Sequence, residues 1–372
     1  MWRHWLKSGS ASVLAAMRLD RVVAGVTGWD RRPLILGYHR VVSEFHPDPT
    51  VSLPSMDISV RMLTEHLQWV ARRYCIVPLD ELGRLLESGE AGTRPYAAVT
   101  VDDGYRDAYD LALPTFRRLG IPAAFFVVTD LVGSREVPLH DRLYYQLARG
   151  YAREGRVPRA MWHALDRIDV PPAKRLRLHR ALNPFDALQA LLESVTQAEA
   201  RAIAERLEVE APFPAAVAER FCCADWSMVR AMAEAGMTVG SHTRTHVFLN
   251  RERHATVTDQ TSGSRRRLEA ELGRPVAHFA YPAGQFNPSA VKAVSAAGYR
   301  FAYTACRHIL PAHARLTIPR KLLWERSCVA ADGSFSPSVM NAQVSGLYDL
   351  VNPPCALDHG TILRPMLASA CC

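Results

Sequence analysis

Short apolar runs alternate with longer amphipathic segments over most of this chain. The run LILGY at residues 34–38 precedes a helical spacing over 57–74, and YAAVTV at 96–101 precedes one over 107–119. The same order returns beyond residue 225. Because parallel strands need a long crossover between them, this alternation favours a parallel sheet with helices outside it. We expect an α/β fold, a distorted (β/α)7-type barrel with a helical insertion.

Three parts of the chain depart from this alternation. Residues 1–33 have apolar positions at helical spacing, and we expect an amphipathic helical segment that packs on the barrel. Peripheral contact of that segment with a membrane surface is the alternative. Residues 134–220, rich in Ala, Leu and Arg, are expected to form a helical insertion within a barrel of residues 34–325. Periodicity fades after that, and 326–372 are expected to be a loosely ordered tail.

Charge and cysteine content argue against several classes of protein. Lys and Arg number 45 against 37 Asp and Glu, and the net charge of +8 is spread along the chain rather than gathered in blocks. No platform of interleaved aromatic and basic residues is apparent, so nucleic-acid binding is not expected. The eight cysteines include no C-x-x-C pair, which favours reduced thiols over a disulfide framework or a structural zinc site.

Two adjacent carboxylates, Asp102 and Asp103, follow the apolar run AAVTV and precede Gly104. Catalytic groups of α/β barrels lie at the C-terminal ends of strands, so this position suits an active site. Side chains of neighbouring residues on an extended segment point in different directions, which allows the two carboxylates separate roles. A helix cap beside a solvated carboxylate is the simpler explanation of the pair taken alone.

Two histidines four residues apart, His242 and His246, follow the run MTV in the segment GSHTRTH. At this spacing two imidazoles can bind one cation. Catalytic zinc typically has three protein ligands and an open position for water. A carboxylate of the Asp102–Asp103 pair would be the third ligand, and the three side chains would then form an open hydrolytic site at the strand ends. Surface histidines are the alternative for the pair alone.

Three motifs in this order identify a family resemblance. TVDDGY at 100–105, SHTRTH at 241–246 and FAYPAG at 279–284 together resemble the motifs of the polysaccharide deacetylase family, carbohydrate esterases related to the nodulation chitooligosaccharide deacetylase. The resemblance covers about residues 34–325 apart from the insertion. It is nearest to the branch of exopolysaccharide and poly-N-acetylglucosamine deacetylases. It implies hydrolysis of N-acetyl groups on an oligo- or polysaccharide or on a glycan precursor.

The resemblance also implies a role for each motif residue. Asp102 would be the general base, and Asp103, His242 and His246 would bind a divalent metal ion, most often zinc. The metal would polarise the amide carbonyl and lower the pKa of water while Asp102 accepts the water proton.

The third motif departs from the family pattern. Ala283 occupies the position of the family's aromatic residue, and its backbone N–H would still serve as an oxyanion donor, with Tyr281 beside it as a substrate contact. The motif arginine that commonly braces the catalytic Asp aligns with Ala280 and is absent. Arg320, in the segment IPRKLLWE, is a candidate to reach the site in its place, and a solvated surface arginine is the alternative.

The general acid is expected at the end of the first strand of the barrel. His39 ends the run LILGYH, in the position where the exopolysaccharide branch supplies the acid from its first strand. A strand-end histidine that bonds a neighbouring loop is the alternative. Neither His308, His313 nor His359 follows an apolar strand in the pattern that other family members use.

Two other functions and the cellular compartment stay open at this point. The missing motif arginine leaves room for a carbohydrate-binding barrel without catalysis, and related chemistry would also suit another non-peptide amide. No export signal or membrane span is apparent, which favours the cytoplasm. A glycan substrate would favour the cell envelope, and a precursor made inside the cell reconciles the two.

Overall fold

The computed structural model describes residues 25, 32–48, 50–89, 94–306 and 308–348. Within these residues the strands are β1 (Leu34–Tyr38), β2 (Arg40–Val42), β3 (Asp57–Ser59), β4 (Cys75–Ile76), β5 (Tyr96–Val101), β6 (Ala124–Val127), β7 (Thr238–Ser241), β8 (His278–Ala280), β9 (Phe301–Thr304), β10 (Ile318–Pro319) and β11 (Lys321–Leu322). The predicted amphipathic segment of residues 1–33 lies almost wholly outside the described residues.

The main sheet is a nearly closed parallel barrel. Its strand order is β10-β9-β8-β7-β6-β5-β1-β11, with β4 paired to the start of β5. The segment 318–322 pairs with both ends of this order: Ile318 and Pro319 pair with β9, and Lys321 and Leu322 pair with β1. This one segment therefore joins the two edges, and Arg320 lies between its two pairings. The prediction of a distorted seven-stranded α/β barrel is confirmed.

Helices surround the sheet, and the insertion consists of helices and the loops between them. In chain order the α-helices are α1 (Val60–Ala71), α2 (Leu79–Ser88), α3 (Leu113–Leu119), α4 (Leu139–Glu154), α5 (Arg159–Leu165), α6 (Pro172–His179), α7 (Pro184–Leu192), α8 (Gln197–Leu207), α9 (Ala215–Ala218), α10 (Trp226–Glu234), α11 (His254–Thr258), α12 (Ser264–Leu272), α13 (Pro288–Ala296) and α14 (Pro337–Val344). Within these residues, no helix is both long and apolar enough to cross a bilayer.

Local sequence explains where the barrel helices begin and end. Ser59 accepts a hydrogen bond from the Met62 N–H at the start of α1, and Asp225 accepts one from the Met228 N–H at the start of α10. Gly120 ends α3 in the left-handed region at φ 64°, which glycine adopts without the steric cost of a side chain. These caps fix the residues at which the helices begin and end, and therefore the length of the connections to the neighbouring strands.

Residues 134–220 form a helical layer with an apolar core of its own. Helices α4 to α9 lie in this range, and it contains no strand. Side chains such as Leu147, Met161, Leu191 and Ile203 are almost fully buried in a cluster separate from the barrel core. The insertion can therefore hold a fixed shape beside the barrel, because its helices bury apolar surface against one another.

The prediction of a loosely ordered C-terminal tail is wrong for residues 326–348. Val329 and Phe335 form an antiparallel bridge, and Ser336 caps α14 by accepting a hydrogen bond from the Val339 N–H. Met340 of this helix is fully buried in the barrel core. An eight-residue helix is too short to show a clear period in sequence, and its apolar partners come from the distant barrel. Residues 349–372 lie outside the described part of the chain.

Substitution of Met340 by alanine tests this packing. The change removes a side chain that is 0% exposed and touches Cys328, so it leaves a cavity in the barrel core. We expect the free energy of unfolding to fall by about 2–5 kcal/mol. Urea denaturation followed by circular dichroism measures this loss. A change within experimental error would show that α14 does not contribute to the core.

Candidate active site

The first two motifs meet at the C-terminal ends of β5 and β7. Asp103 follows β5 with φ 69°, and Gly104 continues the turn at φ 74°. Thr243 and His246 also have positive φ, at 67° and 63°, so the chain after β7 curls tightly and returns its second imidazole to the site. Left-handed backbone is uncommon for residues other than glycine and tends to occur at functional sites.

Three side chains converge here with their ligand atoms facing one another. The Asp103 Oδ1 lies 3.4 Å from His242 Nε2 and 3.2 Å from His246 Nε2. One ligand atom of each residue lies within 4.8 Å of those of the other two. Neither Asp103 oxygen has a hydrogen-bond partner among the described residues, although both are buried. A buried carboxylate without a donor costs free energy unless a cation compensates its charge.

The state of His242 also fits a metal. Its Nδ1 lies 2.8 Å from the Ala280 carbonyl oxygen, which can only accept, so Nδ1 holds the proton. With a cation bound, Nε2 would be the ligand atom, as in metal sites where a carbonyl fixes the tautomer of a ligand histidine. The residues Asp103, His242 and His246 therefore fit a divalent cation with two nitrogen ligands and one oxygen ligand.

Asp102 turns away from this set and binds Arg320. The two Asp102 carboxylate oxygens each accept a hydrogen bond of 2.7 Å from the Arg320 guanidinium, a bidentate pair, and the Thr100 hydroxyl accepts a third from it at 2.9 Å. Burial raises the pKa of Asp102, but the charges of Arg320 and His242 outweigh it and hold that pKa below its usual value. Asp102 is thus an oriented, ionised carboxylate.

Arg320 occupies the place that the sequence analysis proposed for it. It lies between β10 and β11, where the barrel closes, and its side chain is 1% exposed. The guanidinium also lies 5.5 Å from the centroid of the Phe126 ring inside the barrel. The surface alternative for this arginine is wrong.

Replacing Arg320 with lysine is expected to lower kcat about 10- to 100-fold, because one ammonium cannot make the bidentate pair that orients Asp102. The weaker pairing also raises the pKa of Asp102, so the acidic limb of the kcat/KM profile should move to higher pH. Metal content, measured by elemental analysis, should be unchanged. A profile that keeps its shape and position would show that Arg320 has only a structural role.

His39 lies at the end of β1, beside the candidate metal ligands. It is half-buried, lines the same cavity as Asp103 and His246, and its Nδ1 is enclosed with no partner among the described residues. Burial lowers the pKa of His39, partly opposed by the carboxylates of Asp103 and Asp102. A lowered pKa leaves less of the ring protonated near neutral pH and makes the protonated ring a stronger acid.

The third motif contributes one of its two predicted residues to the cavity. Ala283 is exposed at the cavity wall, with φ 51° in the turn after β8. Tyr281 is instead buried in the core: its hydroxyl donates to the Leu316 carbonyl at 3.0 Å, and its N–H donates to the Tyr303 carbonyl. The predicted substrate contact of Tyr281 is therefore not supported, because the residue is fully buried and its hydroxyl is bonded within the core.

A buried polar cluster from the insertion adjoins the metal ligands. The His140 ring lies 4.6 Å from the His246 ring, and Tyr105 donates to Asp141 at 2.5 Å while its oxygen lies 2.9 Å from His140 Nε2. Burial raises the pKa of Asp141 to about 8 and lowers that of His140 to about 3, so neither ring nor carboxyl adds a full charge near neutral pH. Tyr105 ends the motif TVDDGY, and His140 and Asp141 lie in the segment PLHDRLYYQL.

A cavity of about 220 Å³ opens beside these groups. Its lining combines His39, Asp103, His246 and Ala283 with residues of α7 and of the segment after Arg320. Trp324, which lines it, lies in the segment IPRKLLWE and is not among the site residues that the sequence predicts. Its contribution depends on how that segment closes the barrel, which local sequence does not show.

A carboxylate fixed beside an Asp–His–His set, at the C-terminal edge of an α/β barrel, defines a metal-dependent hydrolase. The sequence profile described as polysaccharide deacetylase matches residues 89–169 and 185–302, more than half of the chain. The protein belongs to the polysaccharide deacetylase family, whose members are hydrolases of carbon–nitrogen bonds other than peptide bonds. Comparison with curated protein sequences finds no match.

Solved structures share this fold at low sequence identity. The deacetylase PplD of Streptococcus pyogenes, in complex with acetate, is 16% identical with a TM-score of 0.52, covering 87% of this chain and 99% of its own. IcaB of Ammonifex degensii is 18% identical with a TM-score of 0.51, covering 84% and 97%. A de-N-acetylase of Aggregatibacter actinomycetemcomitans is 17% identical with a TM-score of 0.50, covering 80% and 97%.

Proposed function

We propose that this protein hydrolyses the N-acetyl group of an amino sugar in a glycan or glycan precursor, with Asp102 as the general base and His39 as the general acid. The bidentate Arg320–Asp102 pair beside Asp103, His242 and His246 is the observation that favours catalysis over binding alone. Arg320 gives Asp102 the support that the third motif lacks. The absence of the motif arginine was the reason to consider a barrel without catalysis.

Asp103, His242 and His246 would hold the divalent ion, for which we propose zinc because two nitrogens and one carboxylate oxygen suit it. When bound, the ion would supply Lewis acidity toward the amide carbonyl and lower the pKa of the attacking water. The remaining steps belong to residues of the chain.

Asp102 accepts one proton from water as the new carbon–oxygen bond forms. Its pairing with Arg320 holds one orientation throughout, so little reorganisation is needed when the proton arrives. The main-chain N–H of Ala283 would donate to the oxygen that becomes negative. His39 then gives a proton to the sugar nitrogen as the carbon–nitrogen bond breaks, leaving acetate and a free amine.

Acetate release tests this function. The metal-loaded protein is incubated with N-acetylglucosamine oligomers. The amounts of released acetate and of new amine are measured, and we expect them to be equal. Chelation should abolish release, and added zinc should restore it. Failure to release acetate from any N-acetylated glycan, with metal bound, would contradict the proposal.

Replacing His39 with alanine tests the acid. We expect kcat to fall about 100-fold, since protonation of the leaving amine is lost, with metal content unchanged. His313 to alanine, in a short turn away from the cavity, is the matched control and should keep full activity. Unaltered kinetics of the His39 variant would exclude it as the proton donor.

A further inference from the structure

We infer that the cavity beside the metal ligands binds an apolar group attached to the acetylated amino sugar, so that the preferred substrate is an amphiphilic glycoside rather than a bare polysaccharide. This inference rests on the proposed function and names the class of substrate for the same site. Since acetyl is the acyl part of that reaction, the apolar group belongs to the aglycone.

The lining of the cavity contains two chemically different sets of side chains. One consists of the proposed catalytic and metal-binding groups, among them His39, Asp103 and His246. The other consists of large apolar side chains that are all half-buried: Met56, Phe185, Leu192, Phe248, Leu322 and Trp324. We call these six residues the apolar wall.

The apolar wall favours an apolar occupant. Its half-buried side chains keep part of their surface in water, and a ligand that covers them gains free energy in proportion to the apolar area removed from water. A sugar ring can stack on an aromatic face, but Met56, Leu192 and Leu322 offer neither such a face nor partners for hydroxyl groups. The other polar side chains of the lining include Ser55, Gln189, Glu193 and Gln285. A second sugar could therefore bond only some of its hydroxyls and would place the rest against apolar carbon.

The apolar wall is also firmly supported. Phe185 and Leu192 lie at the two ends of α7, and Leu188 between them is 3% exposed in the core of the insertion. Leu53, which precedes Met56 in the loop before β3, is 6% exposed in the same core. A wall fixed before binding loses little side-chain entropy when a ligand arrives.

Binding and turnover of two glycosides test the inference. The probes are methyl and hexyl N-acetyl-β-glucosaminide, which differ only in alkyl length. Calorimetry with the metal-loaded Asp102→Asn protein measures Kd, and acetate release by the wild-type protein measures kcat/KM. Each buried methylene should lower Kd about fourfold, so we expect the hexyl glycoside to bind at least about tenfold more tightly.

Leu192→Gln should remove most of the hexyl advantage, and Leu182→Gln should leave it unchanged. Leu182 is 88% exposed, outside the cavity, which makes it a control for the same exchange. Phe185→Gln, from the other end of α7, should give the same loss if Leu192→Gln proves unstable. Thermal melting of each variant separates a lost contact from lost folding.

Equal Kd values for the two glycosides would overturn the inference, as would a hexyl advantage that survives both wall variants. A preference for N-hexanoyl over N-acetyl methyl glycoside, without a hexyl advantage, would also overturn the assignment to the aglycone. Tight hexyl binding without acetate release would contradict the proposed function and leave the apolar site supported. Acetate release at equal efficiency from both glycosides would contradict only the apolar site.

Discussion

Replacing Asp102 with asparagine is expected to lower kcat about 1,000-fold while the metal content stays unchanged. The amide has nearly the shape of the carboxylate and can keep one hydrogen bond to Arg320, but it cannot accept the proton of the attacking water. Acetate release under saturating substrate, with metal quantified on the same sample, measures both parts of the prediction.

Asp110→Asn is the matched control for that change. Asp110 lies on the helical segment that follows the same strand, pairs with Arg106, and is 46% exposed away from the cavity. Its variant should keep wild-type kcat. An Asp102→Asn protein with full activity would show that another group takes the proton, and loss of metal from that variant would place Asp102 among the ligands.

Replacing His242 with alanine is expected to remove both the metal and the activity. The variant leaves Asp103 and His246 as the only two ligands, and loss of even an outer hydrogen-bond partner typically weakens metal binding about 10- to 100-fold. Removal of a direct ligand should exceed that loss. Titration with zinc in the presence of a competing chelator measures the affinity.

His254→Ala is the control for this second change, since His254 is exposed at the start of α11 and lies outside the proposed ligand set. It should bind zinc like the wild-type protein. Wild-type zinc affinity in the His242→Ala variant would contradict the proposed set of ligands.

The sequence predicted the groups whose position follows from strand ends. Asp102 and Asp103 directly follow an apolar run, and His242 and His246 follow another, so a parallel barrel brings both motifs to one edge. The structure places all four there. Arg320 was predicted as a candidate because the segment IPRKLLWE resembles the exopolysaccharide branch and the motif arginine is missing, and the closing segment places it beside Asp102.

Features that depend on contacts between distant segments were not predictable. Tyr281 was predicted as a substrate contact because it lies in the third motif, yet its hydroxyl donates to the Leu316 carbonyl in the core. The order of α14 depends on an apolar surface that the barrel supplies. The apolar wall combines side chains from a loop, the insertion and the end of the barrel, and no local pattern relates these three.

The segment 318–322 relates closure of the barrel to the geometry of the active site. Ile318 and Lys321 pair with opposite edges of the sheet, and Arg320 between them holds Asp102. A molecule in which these strand pairings are not formed lacks the guanidinium that orients Asp102. Under the proposed mechanism, the orientation of the base therefore requires both strand pairings of this segment, and a molecule that lacks either pairing would hydrolyse its substrate less efficiently.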